Sequence, residues 1–150
     1  PHFALDADGS LVVARATDYT LHWFGPGGEA TREGKRADPP MWPIPDTLHR
    51  RFADTEARFP AALRQMFHSP DHFPPVRDIA LLPHGRIAVL LTAADEALDL
   101  EVLDSTGVPL GRLTDRPLSP PVFLAGTALY QLVETIEGST IVRRALQIPG

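Results

Sequence analysis

The chain has 150 residues, enough for about one domain with a true core. Its net charge of −5, with no basic stripe carrying interleaved aromatics, speaks against a nucleic-acid partner. The lack of cysteine excludes disulfides and thiolate metal sites, and no apolar run approaches the roughly 18 residues of a membrane-spanning helix. No leader peptide is recognisable, and a start at Pro1 leads us to expect processing or a piece of a longer polypeptide. Sixteen Pro and eleven Gly suit a turn-rich chain better than a helical bundle. A single lysine, Lys35, abundant Arg and no Asn read as a GC-rich bacterial coding bias.

In chain order, Phe3 to Asp8 leads into a turn at Asp8-Gly9. Ser10 to Ala16 (SLVVARA) reads as a buried strand, broken by Thr17-Asp18. Tyr19 to Phe24 alternates, with Tyr19, Leu21 and Trp23 on one face and His22 on the other as a packing histidine. Gly25-Pro26-Gly27-Gly28 is a hairpin loop, and Glu29 to Arg36 a polar outer strand. The segment from Pro39 to Pro75 differs in character. Asp46 is the expected N-cap of a helix on which Leu48, Phe52 and Phe59 fall near one face. Pro60 ends or kinks that helix, or starts a second one over Ala61 to Phe67.

The unit from Val76 to Leu113 is the most complete. Asp78 to Leu82 runs to a turn at Pro83-His84-Gly85, with His84 solvated. Arg86 to Thr92 (RIAVLLT) is an aliphatic strand covered on both faces. Ala97 to Leu103 alternates, with Leu98, Leu100 and Val102 inward and Asp99 and Glu101 on a face expected to meet solvent. Asp104-Ser105-Thr106-Gly107 is a hairpin loop. Val108 to Leu113 carries Pro109 and Gly111, which places it at a sheet edge. A third copy runs from Pro121 to Leu124, through Ala125-Gly126, into Thr127 to Thr135 and then Thr140 to Ile148, without a fourth strand.

Four short strands joined by tight turns describe a propeller blade. The turn glycines Gly85 and Gly126 are 41 residues apart, a blade length. Gly9 and Gly85 are 76 apart, one blade plus the Pro39–Pro75 segment. The predicted fold is therefore all-β: about three four-stranded antiparallel blades of a six-bladed β-propeller (about 1–38, 76–115 and 118–150), with a helical insertion (about 39–75) between the first two.

The stretches DADGSLVVARATDYTLHWFGPGGEATREG, HFPPVRDIALLPHGRIAVLL, LEVLDSTGVPLGRL and LAGTALYQLVETIEGSTIVRRALQI resemble the C-terminal half of bacterial six-bladed propellers of the NHL- and TolB-like group. The resemblance covers nearly the whole chain. It rests on turn glycines and strand patterns, so it concerns architecture and is nearly silent on chemistry. It implies an extracytoplasmic setting, periplasmic or extracellular. Such families close their ring with a strand from the N-terminal end, whereas Pro1 here begins at an inner strand. Half a ring leaves two open sheet faces and a raw edge. The expected partner is the missing half, from the same original polypeptide or from a second copy in a homodimer.

Candidate chemistry is sparse. His68, Asp71 and His72 in HSPDH have the residue types of a partial metal site, but Pro70 breaks any regular helix across them and a solvated loop is the plainer reading. Met41 and Trp42 beside Pro39-Pro40, with Arg50 and Arg51 in a locally basic helix, form the candidate partner-binding spot. No catalytic residue and no cofactor are assigned. The leading reading is a non-enzymatic binding or scaffold module, a fragment or subunit of a larger assembly. The alternative is half of a propeller hydrolase or lactonase with an axial metal site, which the absence of Asn disfavours.

Overall fold

A computed structural model describes residues 1–64, 70–93, 97–112, 118–136 and 138–146. The protein is mostly β, in antiparallel sheets of which none is closed. It divides into two compact units, Pro1–Pro40 with Pro74–Gly150, and Met41–Phe73.

The first unit begins with a four-stranded meander, β1 (His2–Leu5), β2 (Leu11–Arg15), β3 (Thr20–Phe24) and β4 (Ala30–Lys35), with each strand paired to the next. Its first hairpin turns at Gly9, with Asp8 accepting from the Ser10 amide at 2.7 Å and the Ser10 hydroxyl at 3.0 Å. These hydrogen bonds hold the Asp8 carboxyl below its ordinary pKa.

The second unit pairs β5 (Trp42–Pro43) with β6 (His72–Phe73) around α1 (Asp46–Ala57) and α2 (Ala61–Arg64). Asp46 is not the cap. Pro45 holds the N-cap position in an extended conformation without a side-chain bond, and Asp46 opens the first turn, where its charge meets the positive end of the helix dipole. Pro60 stands just before α2. Residues 65–69, and with them the rest of the helix expected to reach Phe67, lie outside the described residues.

The first unit continues with a second meander of β7 (Val76–Leu81), β8 (Ile87–Thr92), β9 (Leu98–Leu103) and β10 (Pro109–Arg112). A third holds β11 (Val122–Ala125), β12 (Ala128–Thr135) and β13 (Gly138–Ala145). The three sheets stack, with the second in the middle. Ile87, Val89 and Leu91 of β8 pack with Val12, Ala14 and Leu21 of the first sheet. Ala88 and Leu90 of the same strand pack with Val122 and Leu129 of the third. This double cover explains the unbroken aliphatic run of β8, all six residues of which are buried. Each fully buried Leu, Ile or Val contributes about 1.5–3 kcal/mol. The first strands of the sheets, β1, β7 and β11, lie beside one another. Asp78 of β7 accepts from the Leu124 amide of β11 at 3.3 Å.

The register relates the sheets residue by residue. Leu5–Leu11–Phe24 in the first sheet, Leu81–Ile87–Leu103 in the second and Leu124–Leu129–Arg144 in the third are the same cross-strand row, matched by the face they present: it is the first row after the hairpin in the first two sheets and the second in the third, where Ala125–Ala128 precedes it. The 41-residue spacing of the turn glycines falls short of this equivalence between the last two sheets, by one residue on β12 and by two on β11, because the β11–β12 hairpin is tighter than the β7–β8 hairpin.

Candidate interaction surfaces

Where the outer strands of the first two sheets meet, a cleft of about 330 Å³ opens over Tyr19, Trp23, Arg36, Glu101 and Val108. Its floor is polar. The Glu101 side chain, only 4% exposed, accepts from the Tyr19 hydroxyl at 2.7 Å and forms an ion pair with Arg36. Asp99 and Glu101 were expected to meet solvent together. Glu101 does not, because the first sheet covers that face of β9, and a buried carboxylate persists only with such partners. Tyr19 reaches Glu101 from a left-handed backbone conformation, φ 52°, rare for an aromatic residue. Burial, and then the hydrogen bond it donates to Glu101, push the Tyr19 phenol far above its ordinary pKa. It therefore stays protonated and donates. This is a clamp between sheets rather than an acid–base pair.

A second contact pins the same seam. Arg32 lies 3.9 Å over the Trp23 ring and donates to the Ser105 carbonyl in the β9–β10 hairpin. Trp23 in turn presses on Gly107, where a Cβ would sit 3.0 Å from the ring and where φ is +89°. Gly28, the equivalent loop residue of the first sheet, has φ +82° but open space around it. Gly107→Ala is therefore expected to cost more than Gly28→Ala. The conformational strain of about 1 kcal/mol is common to both, and about 1 kcal/mol of crowding is added at Gly107 alone. Chemical denaturation read through Trp fluorescence measures the difference.

The terminal sheets carry apolar faces turned away from the stack. On the first sheet, Phe3 is 70% and Leu5 67% exposed, beside half-buried Leu11, Val13 and Phe24. On the third, Phe123 is 59% and Ile141 69% exposed, beside half-buried Tyr130 and Leu132. Contiguous apolar patches of this kind mark interaction surfaces.

Of the residues singled out in the sequence, Trp42 and His72 share the small ladder of the second unit, Trp42 opposite Phe73 and His72 opposite Pro43. Met41, Trp42, Asp71 and His72 are exposed, as are Arg50 and Arg51 on successive positions of α1. His68 lies outside the described residues. His22 faces Glu33 at 3.5 Å across β3 and β4. Among the described residues, no three His, Asp or Glu side chains gather as a metal site would need. The Tyr19–Glu101–Arg36 clamp was not anticipated. Its one sequence signal is Glu101 near the aliphatic end of β9, followed by Val102 and Leu103, whereas Asp99 sits nearer the start of the strand. The chain matches no known protein family, no curated protein and no solved structure.

Proposed function

We propose that the chain is a non-enzymatic binding or scaffold module, its three sheets being consecutive blades of a β-propeller and the helix-bearing segment near 39–75 an insertion between the first two. One observation carries this reading. The outward face of the first sheet corresponds, row for row, to the face of the second sheet that packs inside the stack: Phe3 to Ile79, Leu5 to Leu81, Leu11 to Ile87, Val13 to Val89. The outward face of the third sheet likewise corresponds to the covered face of the second, with Phe123 at the position of Ala80 and Tyr130 at that of Ala88. Surfaces built to the pattern of a buried sheet–sheet contact are docking surfaces for further sheets. The exposed Met41, Trp42, Arg50 and Arg51 offer a separate contact to a protein partner. An extracytoplasmic setting follows from the resemblance of the strand pattern alone.

Binding of a hydrophobic dye by the isolated chain tests the reading. If the end faces dock sheets, the purified chain is either larger than 16.4 kDa in light scattering or a monomer that binds the dye strongly. A stable monomer that binds no dye overturns it.

A further inference from the structure

The two end faces differ from each other, and each matches one side of the contact already made twice within the stack. A face that carries Phe3, Leu5, Leu11 and Phe24 is the equivalent of the receiving side. A face that carries Phe123, Tyr130, Leu132 and Ile141 is the equivalent of the delivering side. We propose that a second copy of this chain covers both. The third sheet of each copy packs on the first sheet of the other, so that two copies form a two-fold, six-sheet assembly. The inference rests on the scaffold reading above and names its partner.

Three features favour a second copy over an unrelated protein. First, a single chain carries both halves of the contact, so one two-fold operation satisfies both faces of both copies at once. Second, a two-fold pair makes two sheet–sheet contacts at once, and so doubles what one contact contributes toward the roughly 1,600 Å² of a standard stable interface. Third, the charges match. Inside the stack, Trp23 of the first sheet lies against the β9–β10 loop of the second, and neighbouring Arg32 donates to the Ser105 carbonyl there. Arg143 holds the position of Trp23 on the third sheet, since Tyr130–Arg143 is the row equivalent to Val12–Trp23. The loop equivalent to the β9–β10 turn on the first sheet is 25–28, and the Glu29 carboxylate folds back over it. The second copy therefore brings Arg143 to the loop that carries Glu29.

Light scattering on the full chain, four single variants and one double variant tests this. Wild type is expected at about twice 16.4 kDa. Phe3→Asp and Phe123→Asp replace exposed side chains and leave the fold intact. Each is expected to be a monomer alone. Mixed together they are expected to recover part of the dimer, because one of the two contacts in the mixed pair is free of both substitutions. Glu29→Arg and Arg143→Glu are each expected to weaken the dimer about tenfold or more, and the doubly exchanged chain to restore it. A dimer that survives Phe123→Asp but not Phe3→Asp means like faces meet, which overturns the proposal. A wild-type monomer whose dye binding falls in both Asp variants also overturns it, while the scaffold reading stands. A monomer without dye binding overturns both.

Discussion

Glu101→Ala is expected to lower the stability of the protein by about 2–4 kcal/mol, because it leaves two donors without their acceptor. The Tyr19 hydroxyl is buried beside Glu101, and Arg36 approaches the same oxygen from the rim of the cleft. Neither can turn to another carboxylate without opening the seam. The loss should show as a lower urea midpoint at unchanged slope. Glu101→Gln keeps an acceptor for Tyr19 but removes the charge that Arg36 faces, so its cost is smaller. Tyr19→Phe removes one donor from a buried carboxylate and is expected to cost about 1.5–3 kcal/mol. Arg36→Ala is expected to cost nearly as much as Glu101→Ala, since it leaves the buried carboxylate with Tyr19 as its partner. A double-mutant cycle between Glu101 and Arg36 separates the pair from its surroundings. A coupling near zero would mean that Arg36 contributes only through its stem and its position over the Tyr19 ring, 5.5 Å from the centroid.

The strands were legible because their residues obey local rules. The aliphatic run of β8 is what a doubly covered strand requires, and Pro109 and Gly111 belong on the edge strand where β10 lies. Asp104 and Gly107 form the hairpin that their types demand, with Asp104 accepting from the Thr106 and Val108 amides at 2.8 and 2.9 Å. What could not be read depends on contacts between segments far apart in the chain. Glu101 and Tyr19 are 82 positions apart, and the alternation of β9 looks the same whether its second face meets water or another sheet. The helix cap failed for a local reason. Asp46 and Pro45 both suit a helix start, and the order of the two decided which became the cap. The candidate partner residues Met41 and Trp42 were visible as large side chains among prolines, but nothing local says what they touch. The apolar end faces were visible only as a consequence of counting strands. Their residue-level match to the inner contacts needed the register.

Leu90→Ala tests whether the middle sheet is the keystone of the stack. Leu90 is 1% exposed and lies on β8 between paired neighbours, Asp78 on β7 and Leu100 on β9. Backbone ladders on both sides prevent the strand from collapsing into the space left by the lost side chain. The expected cost is therefore in the upper part of the 2–5 kcal/mol range for Leu→Ala, about 3–5 kcal/mol. Leu110→Ala, on the edge strand and 52% exposed, is the control, at about 0.5 kcal/mol or less. The shape of the transition carries further information. Leu90 packs toward the third sheet, whereas Val89, its neighbour in sequence, packs toward the first. If the three sheets unfold together, Leu90→Ala shifts the whole transition, and Trp23 fluorescence, which in a Trp42→Phe background reports on the seam between the first two sheets, moves with circular dichroism. If the third sheet opens on its own, the dichroic change comes earlier than the fluorescence change in this variant, and a Val89→Ala variant lacks that split. The first outcome would make the stack a single cooperative block, fit to present its end faces as rigid docking surfaces. The second would make the third sheet a flap whose ordering must be paid for when a partner binds.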